Sequence, residues 1–443
     1  MPTPHQPDPL PSDRSETSFA DFKPAYAPGQ AAVEANRCLF CHDAPCIAAC
    51  PTAIDIPQFI RKIATGNLRG AAHTILDANI LGMSCARVCP VEVLCVGDCV
   101  YNHMGVPPIE IGKLQRYATD AAYEQRWRLF EAGPDTGKTV GLVGAGPASL
   151  AAAHELRRRG HACTVYEKRA LGGGLNTYGV APYKMRGDRS LEEVDWILGI
   201  GGITVSSGVA VPDDLSWAEL GSRHDALFLG FGLGADRLLE LPGADRPGVE
   251  GAVDWIERMK IGSVDLDATR HAVVLGGGNT AIDAVRELCG LGVSSVTMVY
   301  RRTEERMSGY AHEWRAAQTQ GGRALWQRLP VAYEGEGTAG RVRGVRCVHV
   351  NADAQPVPGS EHIVPADLVL VAIGQGRLHD LVAGLDGVVL NGGRIVVDQH
   401  GATGRPGVYS GGDCANGGKE VVNAAAEGKA AAHAIHTFLQ EQS

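Results

Sequence analysis

The chain has 443 residues, 44% of them hydrophobic and 21% charged, with a net charge of −9. That length suits roughly two to four domains, the apolar content is that of a globular protein, and no apolar run is long enough to span a bilayer. The acidic excess, with no Lys/Arg block, speaks against a nucleic-acid surface. The N-terminus shows no secretory pattern, so the twelve cysteines point to a reduced, cytoplasmic setting rather than to a disulfide framework.

Residues 1–30 form an extended N-terminal segment with five prolines in the first eleven positions, too poor in apolar groups to pack alone and expected to lie over another surface or to fray. Residues 31–135 read as helical. Ile56, Phe59, Ile60 and Ile63 recur at helical spacing, Leu68 to Leu76 forms a short amphipathic stretch, and a helix is predicted from about Ile109 to Phe130. That last helix carries Ile111, Leu114, Ala118 and Ala121 on one face, with Gln115 at the edge of the stripe. Taken alone, Gln115 is an ordinary polar helix residue.

Eight of the twelve cysteines fall in this helical stretch. The first group is Cys38-x-x-Cys41-x-x-x-x-Cys46-x-x-x-Cys50-Pro51; the second is Cys85-x-x-x-Cys89-Pro90, followed by Cys95 and Cys99. Three thiolates at short spacing wrap one face of an iron–sulfur cube, and a cysteine followed by proline commonly reaches a different cluster. Two such signals predict two 4Fe–4S clusters with interleaved ligands. Zinc usually takes two C-x-x-C pairs, and only Cys38/Cys41 has that spacing.

After a turn-rich linker at 133–138 the pattern becomes α/β. The strand Thr139–Val143 leads into Gly144-Ala145-Gly146-Pro147-Ala148-Ser149, a helix from Leu150 to Arg159 and a strand ending at Glu167, followed by Lys168. This is a dinucleotide fingerprint in context: glycines admit a pyrophosphate to a helix N-terminus, Ser149 replaces the third glycine, and Glu167 is placed to accept from ribose hydroxyls. A second copy runs from Ala272–Leu275 through Gly276-Gly277-Gly278-Asn279-Thr280 and a helix from Ile282 to Leu288 to a strand ending in Arg301 and Arg302. Paired arginines there suit a 2′-phosphate and favour NADPH; the alternative is that they cover the adenine or pyrophosphate.

Two such folds predict FAD and a nicotinamide, with an FAD-binding domain at 136–245 and 373–443 and an NAD(P)-binding domain inserted at 246–372. Apolar strands at Ala226–Gly234 and at Leu368–Gly374 mark the junctions, and Val408 to Gly412-Asp413 places an acid near the FAD ribityl or phosphate hydroxyls. A helix from about Glu420 to Leu439 then directs its positive end at the flavin. The predicted fold is an α-helical two-cluster iron–sulfur domain followed by an α/β flavoprotein with two dinucleotide-binding domains.

With these motifs assembled, the chain from about Asn36 onward resembles the family of the glutamate synthase small subunit and the N-terminal half of dihydropyrimidine dehydrogenase. The text is nearer the second branch at Asp43-Ala44-Pro45-Cys46, Cys50-Pro51-Thr52, Leu94-Cys95-Val96-Gly97 and Pro108 to Gln115; the bacterial two-subunit form has a subunit of this architecture. The resemblance implies one cluster on Cys38, Cys41, Cys46 and Cys99 and another on Cys50, Cys89, Cys95 and Gln115, leaving Cys85 a buried thiol. It also implies that Gly174, Leu175 and the stretch to Lys184 lie along the isoalloxazine ring, with Lys184 orienting flavin or nicotinamide unless it is a solvated lysine. Met307-Ser308 departs from the family's usual Met-Pro.

The function implied is electron input. NAD(P)H reduces FAD, and single electrons pass through two 4Fe–4S clusters to a partner subunit holding FMN and iron–sulfur clusters, which reduces uracil or thymine. The chain ends after the last FAD helix, so the pyrimidine site is expected on that partner. No acid–base catalytic residue is expected here, because the chemistry belongs to the cofactors. Alternatives are the glutamate synthase small subunit and a redox sensor without turnover; NADH and NADPH both stay open.

Overall fold

The computed structural model describes residues 10–337, 340–351, 355–376 and 378–442. The described part of the N-terminal segment lies across its neighbours, the first of the two outcomes its composition allows. Ser15 N donates to the Gly262 carbonyl at 2.9 Å, Phe22 N donates to Tyr183 at 3.1 Å, and Phe19 is buried in the core beneath the second large sheet. Arg14 and Glu16 are buried as an ion pair at 2.7 Å. Beside them the fully buried Lys260 donates to the carbonyls of Val180 at 2.6 Å and Met185 at 2.9 Å. Such charges persist inside a protein when paired and hydrogen-bonded.

The next stretch is helical, with helices Pro28–Asn36, Ile56–Ala64, Leu68–Ala78, Gly82–Val88 and Ile111–Glu124. Asp55 caps the second by accepting from Gln58 N at 3.1 Å, and Asn67 caps the third by accepting from Gly70 N at 2.9 Å. Each such cap is worth about 1 kcal/mol. Phe59, Ile60, Ile75 and Leu114 close the core without exposure. The helix predicted to reach Phe130 ends at Glu124 instead: Arg126 takes φ +49°, and the chain extends so that Phe130 meets Trp196 edge-on at 6.3 Å. Packing of Trp127, Leu129 and Phe130 on the adjoining layer outweighs helix propensity there.

Two five-stranded parallel sheets follow. In space the first runs Val408–Ser410, Ala226–Leu229, Thr139–Val143, Ala162–Glu167, Ile203–Ser207; the second runs Val249–Gly251, Leu368–Val371, His271–Leu275, Ser295–Tyr300, Arg323–Trp326. Each sheet puts its glycine-fingerprint strand in the centre, so ligand crevices open at the carboxyl ends of the strands. An antiparallel sheet of Arg328–Gly335, Val342–His349 and His362–Pro365 sits beside the second sheet; nothing in the sequence reading foresaw it. Helices Pro147–Arg158 and Val421–Glu441 cross in backbone contact, because a Cβ on Gly428 would lie 2.1 Å from the Ala148 carbonyl oxygen.

Candidate functional site

The two glycine loops divide into residues the fold needs and residues it does not. Gly144 has φ +89°, and a Cβ there would lie 2.7 Å from the Phe231 Cα; Gly174 has φ +55°, with a Cβ 2.8 Å from the Gly146 Cα. Both are required by the backbone. Gly146 is different: its φ is −82°, and an added Cβ would meet nothing closer than 3.9 Å. The second loop repeats the division. A Cβ on Gly276 would sit 2.2 Å from the Ala372 carbonyl, whereas Gly278 has φ −94° and its nearest neighbour, Ser308 Oγ, is at 3.7 Å. Gly146 and Gly278 therefore leave space that no protein atom fills, at helix N-termini where the first amides lack intrahelical partners, which fits a dinucleotide pyrophosphate.

Around the first loop, Glu167 is buried and its carboxylate accepts from Ala145 N at 2.7 Å and Arg169 N at 2.9 Å, while Lys168 is exposed. Pro147 opens the helix, and Ala148 and Ser149 are buried in its first turn; the Ser149 hydroxyl faces the place where a Gly230 Cβ would be. Leu175 begins a short helix directly after Gly174. Gly412, at φ +76°, donates its N–H to Glu427 at 2.7 Å and turns the chain into Asp413. Burial, with help from the Glu427 and Glu420 carboxylates, raises Asp413 to about 6. Gly374, at φ +105°, has open space around it, and its carbonyl accepts from Arg237 N at 3.0 Å.

At the second loop, Asn279 Oδ1 accepts from Tyr310 N at 3.0 Å and Gly309 N donates to the Gly277 carbonyl at 2.9 Å, so the 304–310 segment closes over the fingerprint next to Thr280. Met307 has φ −69° and ψ 135°, the conformation a residue before proline takes, so Ser308 follows the path that Met-Pro would. Arg301 and Arg302 are exposed, and among the described residues neither meets a carboxylate.

Lys184 is not a solvated lysine. Its Nζ pairs with Asp283 at 2.9 Å and Glu313 at 3.2 Å, with 12% of the side chain exposed. Burial opposes its charge, but the two carboxylates outweigh that and hold its pKa above the usual lysine value. Glu313 also binds Arg286 at 2.5 Å, and the Arg286 guanidinium stacks 3.8 Å from the Tyr183 ring centroid. Replacing Lys184 by Met leaves Asp283 with the Tyr183 hydroxyl as its partner, while Glu313 keeps Arg286, and the expected cost is about 2 kcal/mol. The thermal unfolding midpoint measures it; an unchanged midpoint would show the pairs to be energetically idle. The Tyr310 hydroxyl donates to Glu420 at 2.8 Å, joining the loop to the helix that starts at Val421. Partners so distant in sequence leave no local signal, and the reading of the sequence missed this pair.

In the helical part all eight cysteines are free, and Cys38, Cys41, Cys46 and Cys99 line one pocket with Ile56, Ile60, Ile109 and Ile111. Phe40, between the first two, takes φ +50° to turn the loop. Burial and the neighbouring thiols raise Cys46 to about 12, and burial with Cys50 and Cys46 does the same to Cys95. Cys89 is raised too, first by a hydrogen bond with Cys85, then by burial and by Cys95 and Cys50. Thiols gathered in an apolar pocket and raised by burial and by one another need a cationic iron core to exist together as thiolates, and these residues fit one. Among the described residues no three His, Cys, Asp or Glu side chains are placed for a single metal ion. Gln115 is buried, and its Nε2 donates to the Gly82 carbonyl at 2.8 Å. That bond ties it to the helix leading to Cys89 and leaves its oxygen as the end available to iron.

Residues 14–127 match the family described as dihydropyrimidine dehydrogenase domain II, 4Fe-4S cluster, and residues 138–428 match the pyridine nucleotide-disulphide oxidoreductases. The chain is 34% identical to the glutamate synthase [NADPH] small chain of Halomonas elongata, over 98% of this chain and 96% of that one. It is also 34% identical to the NAD-dependent dihydropyrimidine dehydrogenase subunit PreT of Escherichia coli K12, over 95% and 97%. The chain belongs to this family of iron–sulfur flavoprotein subunits. It is an FAD- and NAD(P)H-dependent oxidoreductase subunit that transfers electrons. FprA of Mycobacterium tuberculosis, solved with NADPH, shares the fold at a TM-score of 0.57 and 19% identity, covering 70% of this chain and 85% of that one. Thioredoxin reductase of T. acidophilum does so at 0.54 and 19%, covering 69% and 100%. No helix among the described residues is long and apolar enough to cross a membrane.

Proposed function

We propose that this chain is the electron-input subunit of a cytoplasmic dihydropyrimidine dehydrogenase, working with a partner that carries FMN and iron–sulfur clusters and reduces uracil or thymine. The observation that carries this reading is the fit to PreT. That match spreads 95% of the chain over 421 aligned positions, almost without insertions from the relative, whereas the Halomonas small chain spreads 98% over 465 and has segments with no counterpart here. Bound FAD would take a hydride from the nicotinamide, and two 4Fe–4S clusters would carry single electrons onward. The chain's own residues hold and tune these groups. Gly146 and Gly278 admit the pyrophosphates, Glu167 and Asp413 face the flavin's hydroxyls, and Arg301 and Arg302 suit a 2′-phosphate. Cys38, Cys41, Cys46 and Cys99 hold one cluster, and Cys50, Cys89, Cys95 and Gln115 the other.

The deciding experiment is anaerobic NADH and NADPH oxidation by the protein purified with its host partner, given uracil in one cell and glutamine with 2-oxoglutarate in the other. Oxidation dependent on uracil supports the reading. Dependence on glutamine and 2-oxoglutarate moves the chain to the glutamate synthase branch, to which it is equally similar in identity. Gln115→Leu is expected to change the electron paramagnetic resonance signal of one cluster and leave FAD bound; two unchanged signals remove Gln115 from the ligands.

A further inference from the structure

The helical part and the first flavin half meet across an apolar core in which Met83 and Tyr123 pack with Leu150, Val194 and Ile197. A buried carboxylate bridges the two. Glu193, on the helix Gly187–Leu198, is 1% exposed, and its Oε1 accepts from Met83 N at 3.1 Å and Ser84 N at 3.0 Å, in the first turn of the helix Gly82–Val88. Its Oε2 accepts from the Ser84 hydroxyl. That hydroxyl has then given its proton, so its oxygen accepts from Asn176 Nδ2 at 3.0 Å, two residues beyond Gly174.

Both ends of this bridge are tied to groups with assigned roles. On the flavin side, Gly174 lies against Gly146 in the first glycine loop. On the other side, Gln115 Nε2 donates to the Gly82 carbonyl at 2.8 Å, and Cys89 follows the helix directly, its N–H donating to the Cys85 carbonyl at 3.1 Å. Apolar packing is non-directional and lets two surfaces slide, whereas three hydrogen bonds from two consecutive residues to one carboxylate admit a single register. We infer that Glu193 is a positioning residue for electron transfer: with Ser84 and Asn176 it fixes the helix that leads to Cys89 against the flavin loop, and so sets how far the second cluster stands from the flavin. The inference rests on the FAD and two-cluster reading given above.

The test mixes the intact chain, loaded with flavin and iron, anaerobically with the nicotinamide that reduces it, and follows flavin bleaching and cluster reduction as separate phases. Hydrogen exchange of the amides at 83–88 is read beside them. The variants are Glu193→Gln and Ser84→Ala, with Asp77→Asn as control, because Asp77 pairs with Arg158 at 2.9 Å across the same boundary from a different helix, Leu68–Ala78. In Glu193→Gln and Ser84→Ala the flavin phase is expected to keep its rate, the cluster phase to slow several-fold and the amides to exchange faster; Asp77→Asn is expected to change neither phase. Where Glu193→Gln fails to fold, Ser84→Ala, which keeps both amide bonds to Glu193, is read alone. A cluster phase at the wild-type rate in the folded variants overturns the inference and leaves Glu193 a helix cap. Equal slowing of both phases, or the same slowing in Asp77→Asn, overturns it as well. Wild-type chain with iron for a single cluster, or without flavin, instead refutes the reading beneath it.

Discussion

Gly146→Ala is expected to yield a folded chain that has lost FAD. A Cβ at this position would touch no protein atom closer than 3.9 Å, and the residue's φ of −82° is open to any amino acid, so the fold tolerates the methyl group. The space it takes is the approach to the first turn of the helix Pro147–Arg158. Pro147 has no N–H and Glu167 already holds the Ala145 N–H, so a pyrophosphate must come close to the remaining amides. Pushing it back by the width of a methyl group weakens several short charge-assisted hydrogen bonds together. The expected loss is at least a hundredfold in affinity, about 2.7 kcal/mol, measured by titrating FAD into the stripped protein. Gly144→Ala supplies the contrast, because φ +89° and a backbone neighbour at 2.7 Å make it a folding defect, visible in circular dichroism. Full FAD occupancy in desalted Gly146→Ala would end the pyrophosphate assignment.

Much of this arrangement was legible in the sequence because its causes are local. Strand, glycine loop, helix and strand follow one another within thirty residues or so at each fingerprint, and each part constrains the next. The structure accordingly has central strands Thr139–Val143 and His271–Leu275 where the pattern put them. The spacing of Cys38, Cys41 and Cys46 likewise announced a cage, and the structure adds Cys99 to the same pocket. What was not legible depends on partners far apart in the chain. The helix expected to reach Phe130 stops at Glu124 because Trp196, in another layer, draws Phe130 to it. Lys184 could be read as orienting a cofactor or as a solvated lysine until Asp283 and Glu313 are brought beside it, and the two amides that Glu167 also accepts from, those of Ala145 and Arg169, leave no trace in the spacing of the motif. Neither the Tyr310–Glu420 bond nor the Ser84–Glu193 bond leaves a periodic trace, since each depends on side-chain direction alone.

Replacing both Arg301 and Arg302 by alanine is expected to lower kcat/KM for NADPH and leave NADH nearly untouched. The two large sheets share the order of the fingerprint strand and the two strands that follow it, and in each the strand next to the centre ends beside the glycine loop. In the first sheet that strand ends in Glu167, which would repel a phosphate and suits ribose hydroxyls; in the second it ends at Tyr300 and is followed by the arginine pair. Among the described residues no carboxylate neutralises these arginines, so their donors are open to a ligand. A charge-assisted hydrogen bond is worth roughly 1.5–3 kcal/mol, and exposure places each of these at the low end. Two together give about 3 kcal/mol, or roughly a hundredfold in kcat/KM with NADPH. Because the arginines are exposed, added salt should raise the wild-type KM for NADPH and not that for NADH. The pair follows a strand of the second sheet and the FAD fingerprint belongs to the first, so FAD content and oxidation of NADH with an artificial acceptor serve as internal controls. An equal fall with both nicotinamides would mean that the arginines hold the adenine or the pyrophosphate, which the two cofactors share.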